Sequence, residues 1–333
     1  MINQQFRLAS RPTGLPTRDT WQLTEEPVSD PGGNEVAVEV LYVSLDPAMR
    51  GWLNEGESYV PPVGIGDVMR AFGVGRVIAS RDPSLEEGDH VTGAFGMQRY
   101  AVVPAAGAQK IDTDLAPLTS YLNALGGPGM TAYFGLLEIG RPQAGHTVAV
   151  SAAAGAVGSL AGQIAKIKGC RTVGIAGGAE KCRLVTEDFG FDAAIDYRTG
   201  EVGRQLRAAC PDGIDVYFDN VGGDVLEAAL SNLARGARVV LCGAISQYNE
   251  GAMRGPRNYM ALVIKRARME GFIVFDYADR YAEAARDIAG WIKEGKLHSR
   301  EHVVDGLEAF PEALLMLYDG RNMGKLILRL ANP

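Results

Sequence analysis

Apolar and polar residues follow two different rhythms along this chain, and the change falls near residue 120. Before it, the apolar stretches are short and punctuated by glycine and proline. "EVAVEVLYVS" (35–44) alternates as a half-buried strand does, and "GVGRVIAS" and "GDHVTGAF" are strand pieces bounded by glycine. The pattern predicts an all-β, partly barrel-like region. Beyond residue 120, strand and helix alternate: "TVAVS" precedes a helix over 157–168, "RTVGIA" one over 180–189, "AAIDY" one over 201–210 and "IDVYFDNV" one over 223–233. "ARVVLCG" follows, and "EGFIVF" reads as a strand leading into a helix over about 279–294. Such alternation predicts an α/β fold, a doubly wound parallel sheet with both faces covered. After residue 300, "HVVDGLEAFPEALLMLYDGRNMGKLILRL" predicts a helix and a final alternating strand, expected to pack back on the amino-terminal part. The expected organisation is one domain over 1–122, completed by about 301–333, and a second over 123–300.

With 333 residues, 47% hydrophobic and 22% charged, the chain is long and apolar enough for two globular domains of ordinary size. A formal net charge of -7 argues against a general nucleic-acid or anionic-membrane surface. Cys170, Cys182, Cys210 and Cys242 show no tight spacing, which fits reduced thiols and a cytoplasmic setting better than a disulfide framework. "MINQQFRLAS" has no apolar signal core, and no stretch reads as long enough to span a bilayer.

The first strand–helix unit carries the chemistry. "VAVSAAAGAVGSLAGQIAK" (148–166) places small residues between a strand ending at Ser151 and a helix starting near Ala156. Unpaired N–H groups at a helix start, reinforced by the helix dipole, hold a pyrophosphate if no side chain blocks the approach. The dinucleotide fingerprint G-x-G-x-x-G is met imperfectly, with Ala153 in its first place and Gly155 and Gly158 in the second and third. Close packing alone would also select small residues here. The turn nevertheless opens the first of several β-α units, where the pyrophosphate turn of a Rossmann sheet belongs.

An NAD enzyme commonly carries an acidic residue about 20 residues on, to hold the ribose 2′-hydroxyl. Here Gly177 and Gly178 occupy that place, with Lys181 and Arg183 just beyond. Loss of the acid and gain of cations favours a 2′-phosphate and hence NADPH. The alternative is that Glu180 and Lys181 are only charges at a helix start. A catalytic zinc takes three protein ligands, mostly Cys, His or Glu. No cysteine precedes residue 170, the amino-terminal region offers only His90, and His146, His298 and His302 are scattered, so no metal is expected.

Seven segments together resemble one family: "SLDPAMRG" (44–51), "GPGMTAYFGLLEIG" (127–140), "AAAGAVGSLAGQIAKIKGC" (152–170), "GGAEKCR" (177–183), "FDNVGG" (218–223), "CGAISQYN" (242–249) and "NMGK" (322–325). In this order they resemble the zinc-independent medium-chain dehydrogenase/reductases, nearest to the NADPH-dependent alkenal/one reductase group. The resemblance implies a GroES-like, partly open β-barrel domain beside the Rossmann domain. It implies that Gly155, Ala156, Val157 and Gly158 hold the pyrophosphate, and that Gly178, Lys181 and Tyr197 approach the 2′-phosphate. Asn220 and Thr131 would face the cofactor. Cys242, Gly243, Ala244, Ile245, Ser246 and Tyr248 would run along the nicotinamide ribose, Phe272, Ile273 and Val274 would lie beside the nicotinamide, and Asn322 would close the site. Tyr42, Met49 and Tyr59 would line the substrate side. "SLDPAMRG" reads equally as a helix start capped by Asp46. Gly127 stands where the family often has methionine.

The implied reaction is hydride transfer from NADPH to the β-carbon of an enone or enal, with the Tyr248 hydroxyl or the cofactor's own ribose 2′-hydroxyl as donor to the developing enolate. The Tyr248 ring could instead only shape the pocket or hold the ribose. A small-molecule substrate and a homodimer are further expectations. Two other readings remain at this point: an NADPH-dependent quinone reductase of the same family, and a non-catalytic dinucleotide-binding protein.

Overall fold

The computed structural model describes residues 1–332, which divide into two compact units, residues 1–122 with 301 onward and residues 123–300. In the first unit, β1 (Ile2–Leu8) and β2 (Trp21–Pro27) form an antiparallel hairpin. Then come β3 (Glu35–Ser44), α1 (Met49–Trp52), β4 (Gly73–Ser80), β5 (His90–Gly93), β6 (Tyr100–Pro104) and β7 (Ala108–Lys110).

The second unit begins with α2 (Gly127–Phe134) and continues β8 (Thr147–Ser151), α3 (Ala156–Ile167), β9 (Arg171–Ala176), α4 (Ala179–Arg183), β10 (Ala193–Asp196) and α5 (Val202–Ala209). It ends with β11 (Ile214–Asp219), α6 (Gly223–Leu230), β12 (Leu233–Leu241), α7 (Ala261–Lys265), β13 (Arg268–Gly271) and α8 (Tyr281–Lys293). The chain then returns to the first unit through β14 (Glu301–Asp305), α9 (Phe310–Asp319) and β15 (Lys325–Arg329).

The sheet of the second unit is parallel throughout, in the order β10-β9-β8-β11-β12-β13. Numbered within the unit this is 3-2-1-4-5-6, the doubly wound arrangement that the strand–helix alternation predicts. All five residues of β8 are buried, as befits a strand covered by helices on both faces. In the first unit the order is β14-β15-β3-β4-β5-β7, with β6 also paired to β3. β15 runs antiparallel to β3, Ile327 opposite Ser44.

Four local readings need correction. β3 is buried at eight of its ten positions rather than half-buried, because side chains from both its faces enter clusters: Val36, Val38, Val40 and Val43 in one, and Leu41 and Tyr42 with Leu122 and Ile327 in another. The helix expected over 180–189 is α-helical only to Arg183 and then widens into a π-helical turn, Phe189 N–H reaching Leu184 C=O at 3.1 Å. α6 stops at Leu230 because Leu233 already pairs with Ile214 of β11. "EGFIVF" is not the strand: β13 ends at Gly271, and Val274 begins a 3-10 helix. Among the described residues no helix is long and apolar enough to cross a membrane.

Candidate functional site

The turn after β8 is built to leave donors uncovered. Ala152 takes a left-handed conformation (φ 51°), and Gly155 N–H closes on Ala152 C=O at 2.9 Å. α3 then starts from Gly155 with no side-chain cap, so its leading N–H groups lack partners within the helix. Gly155, Ala156 and Val157 are partly exposed while Gly158 is buried. The two fingerprint glycines divide the work. A Cβ on Gly158 would stand 2.3 Å from the Ala152 carbonyl oxygen, so Gly158 permits the helix to lie against the strand. A Cβ on Gly155 would stand 3.1 Å from the same oxygen, and its φ of -89° is open to any residue. At Gly155 the uncapped helix start is left without a side chain over it, and such a start attracts anions.

At the end of β9, Gly178 has φ 94°, and its N–H donates to Asp196 Oδ1 at 2.8 Å. The Tyr197 ring lies over Gly177: a Cβ there would be 2.8 Å from the ring and its hydroxyl. Tyr197 is 44% exposed. The Arg198 guanidinium comes within 3.5 Å of where a Gly178 Cβ would be. Arg198 escaped the sequence reading, since "DYRTG" carries no spacing signal and only the fold of β10 onto β9 brings it to the glycine pair. Lys181, half-buried in α4, follows on the same elbow.

The strand order reverses between β8 and β11, and in open α/β sheets ligands bind at that crevice. The last residues of these two strands are joined there: Ser151 Oγ donates to Asp219 Oδ1 at 3.0 Å. Asn220 donates its N–H to Ser151 Oγ at 2.8 Å and its side-chain amide to Ser151 C=O at 2.7 Å, so that amide spans the crevice rather than standing free. The N–H groups of Cys242 and Gly243 reach Asp219 C=O at 2.9 and 3.1 Å. Desolvation, with the Asp219 charge adding to it, pushes the Cys242 thiol up to about 12, which leaves it neutral and non-nucleophilic.

Beyond Cys242 the chain folds over this floor. Ile245 N–H donates to Asn220 C=O at 3.2 Å, and Ser246 Oγ to Val221 C=O at 2.6 Å. The Tyr248 hydroxyl accepts the Ala244 N–H at 3.1 Å, and a Cβ on Gly243 would come within 2.8 Å of it. Phe272 lies on Gly135, where a Cβ would be 2.4 Å from its ring, and Ile273 and Val274 follow it, half-buried. Thr131 Oγ1 turns back to Gly127 C=O at 2.8 Å.

Residues 4–111 match the family described as "N-terminal domain of oxidoreductase", and residues 156–290 the one described as "Zinc-binding dehydrogenase". The chain is 44% identical to the NADPH-dependent curcumin reductase of Escherichia coli (strain K12), over 99% of this chain and 97% of that protein. It is 42% identical to the 2-alkenal reductase (NADP(+)-dependent) of Nicotiana tabacum, over 98% and 97%. The crystal structure of CurA from Vibrio vulnificus in complex with NADPH superposes with a TM-score of 0.94 at 44% identity, covering 99% of this chain and 100% of that one. The chain belongs to the medium-chain dehydrogenase/reductase family.

One of the two family descriptions mentions zinc. In this medium-chain reductase the described residues contain no group of three or more His, Cys, Asp or Glu that could hold a metal ion. The first unit of the reductase alters the expected substrate-side set. Met49 is 0% exposed in the core, and Tyr42 is buried with Leu41, Val74 and Ile327, so both serve packing. Tyr59 is 49% exposed, its hydroxyl accepting from Trp52 Nε1 at 3.3 Å. Asp46 does not cap α1, whose N-cap is Ala48; it accepts from Ser44 Oγ and from Lys325 Nζ. Arg50 is buried and spends its donors on the carbonyls of Gly14 and Pro12 and on Asn54 Oδ1. Asn322 donates to Gly324 C=O at 2.9 Å within its own turn.

Proposed function

We propose that this protein is an NADPH-dependent reductase of the carbon–carbon double bond of α,β-unsaturated ketones and aldehydes, working without zinc. The observation that carries the reading is the uncapped α3 turn together with the Gly177–Gly178 elbow, which presents Lys181, Tyr197 and Arg198 where an NAD enzyme would present an acid. The curcumin and alkenal reductase relatives support it over 98–99% of the chain. Residues 123–300 are the NADPH-binding domain on this reading, and residues 1–122 with 301 onward the GroES-like substrate domain.

Bound NADPH supplies a hydride for the β-carbon of the acceptor. The leading N–H groups at Gly155 to Gly158 hold the pyrophosphate, and Lys181, Tyr197 and Arg198 the 2′-phosphate. Charge gathers on the substrate carbonyl oxygen as an enolate, and the Tyr248 hydroxyl, oriented by the Ala244 N–H, donates a hydrogen bond to it. Tyr248 or water then protonates the α-carbon. A Tyr248→Phe enzyme is expected to lose about a hundredfold in kcat on an enone with its NADPH affinity little changed; steady-state kinetics with a coenzyme titration decide, and unchanged turnover removes the donor role.

Lys181→Ala is expected to narrow the preference for NADPH over NADH about tenfold, the scale of one charge-assisted hydrogen bond. Calorimetry with both coenzymes measures it, and an equal loss for the two would place Lys181 outside the phosphate site. The whole reading is tested by NADPH consumption with a panel of enones, enals and benzoquinones: quinone-only turnover marks a quinone reductase, and tight binding without turnover a non-catalytic binder.

A cytoplasmic homodimer completes the proposal. β13 ends its sheet, and beside it Tyr259, Met260, Val263 and Ile264 are exposed, a surface that two-fold pairing of β13 would cover. Sedimentation as a monomer at micromolar concentration would reject the dimer.

A further inference from the structure

Asp219 is 0% exposed at the carboxyl end of β11, and the hydride-transfer reading gives it no part. It receives Ser151 Oγ and Tyr217 Oη at 3.0 Å each, Val221 N–H at 3.2 Å, and Gly222 N–H at 3.1 Å on both oxygens. All of these donors are neutral. Cys242 and Tyr217, the ionisable neighbours that feel its charge, have their own pKa values pushed upward and stay uncharged. Burial raises the pKa of Asp219 above the ordinary carboxyl value, and the converging hydrogen bonds offset that rise only in part. Ser151, Tyr217, Val221 and Gly222 all aim their donors at Oδ1, more than a neutral carbonyl oxygen has lone pairs to accept, and this convergence favours negative charge there.

A buried carboxylate without a cationic partner is costly, and the chain places it behind the crevice between β8 and β11. Its main-chain carbonyl also anchors Cys242 and Gly243, the start of the segment assigned to the nicotinamide ribose. We propose that Asp219 is a positioning charge that favours the cationic, oxidised nicotinamide over the neutral, reduced one, and so assists hydride departure. The inference rests on the NADPH reading above. The pyrophosphate and 2′-phosphate are common to both redox forms, so their repulsion from Asp219 cancels in the ratio of the two affinities.

The test is titration of NADP+ and NADPH against wild type, Asp219→Asn and Tyr217→Phe, by calorimetry or protein fluorescence. Asp219→Asn removes the charge at nearly constant shape and is expected to weaken NADP+ relative to NADPH about tenfold, as one screened unit charge does. Tyr217→Phe keeps the charge and is expected to leave that ratio within about twofold of wild type, since only a neutral donor is lost. Equal weakening of both coenzymes by Asp219→Asn would make the residue a structural strut and overturn the inference alone. Should Asp219→Asn not fold, Asp219→Ser, which also removes the charge and keeps a hydroxyl for the Ser151 and Gly222 partners, is read in the same way: a weakened NADP+ relative to NADPH supports the inference, and an unchanged ratio overturns it. If wild type binds neither coenzyme, the NADPH reading itself falls.

Discussion

Replacing Asp46 with alanine is expected to destabilise the protein by about 3–5 kcal/mol, the cost of leaving a buried charge without its partner. Lys325 is 1% exposed, and its ammonium donates to Leu45 C=O at 2.8 Å and Asp46 Oδ1 at 2.5 Å. Asp46 is held in turn by the Ser44 hydroxyl. Without the carboxylate the buried ammonium keeps only the Leu45 carbonyl, and β15, which begins at Lys325, loses its footing on β3. Lys325→Met should cost clearly less, because a flexible apolar side chain fills the space and Asp46 keeps Ser44 and some solvent. Guanidinium unfolding of both variants measures the difference. Losses below about 1 kcal/mol for Asp46→Ala would mean that the pair behaves as an exposed one.

The second large effect separates the two glycines of the turn after β8. Gly158→Val should cost about 3 kcal/mol, as overpacking against a fixed group does, because the clash at 2.3 Å is with main-chain oxygen that has nowhere to move. Gly155→Ala should cost clearly less stability than Gly158→Val, since its φ is ordinary and the same oxygen, 3.1 Å away, need give by only a few tenths of an ångström. Its expected effect is instead about tenfold weaker NADPH binding, a loss of about 1.4 kcal/mol from a methyl group placed in the anion seat. Thermal unfolding with and without NADPH reads both numbers. The reverse pattern would assign the packing role to Gly155.

The six-stranded parallel sheet is legible in the sequence because strand–helix alternation and the small-residue turn are local signals. The element ends are less so: the π-helical turns after α2 and α4 and the early start of β12 follow from tertiary pairing that no window of residues records. Side-chain partners are the least legible. Asp219 in "YFDNV" reads as an ordinary strand end, yet its donors come from β8, β11 and the following loop. Asp46 resembles a helix cap, and only the return of residue 325 to the same sheet reveals its partner. Met49 occupies a stretch that the family resemblance marks for substrate, but its complete burial was settled by the packing of α1.

The contribution of β15 to the first unit has a consequence for synthesis. Residues 123–300 form a contiguous unit and can close as soon as they leave the ribosome, whereas β3 lacks one of its neighbours until the final strand is translated. The amino-terminal part of the nascent chain must therefore wait, with one strand edge unpaired, through the translation of about two hundred further residues.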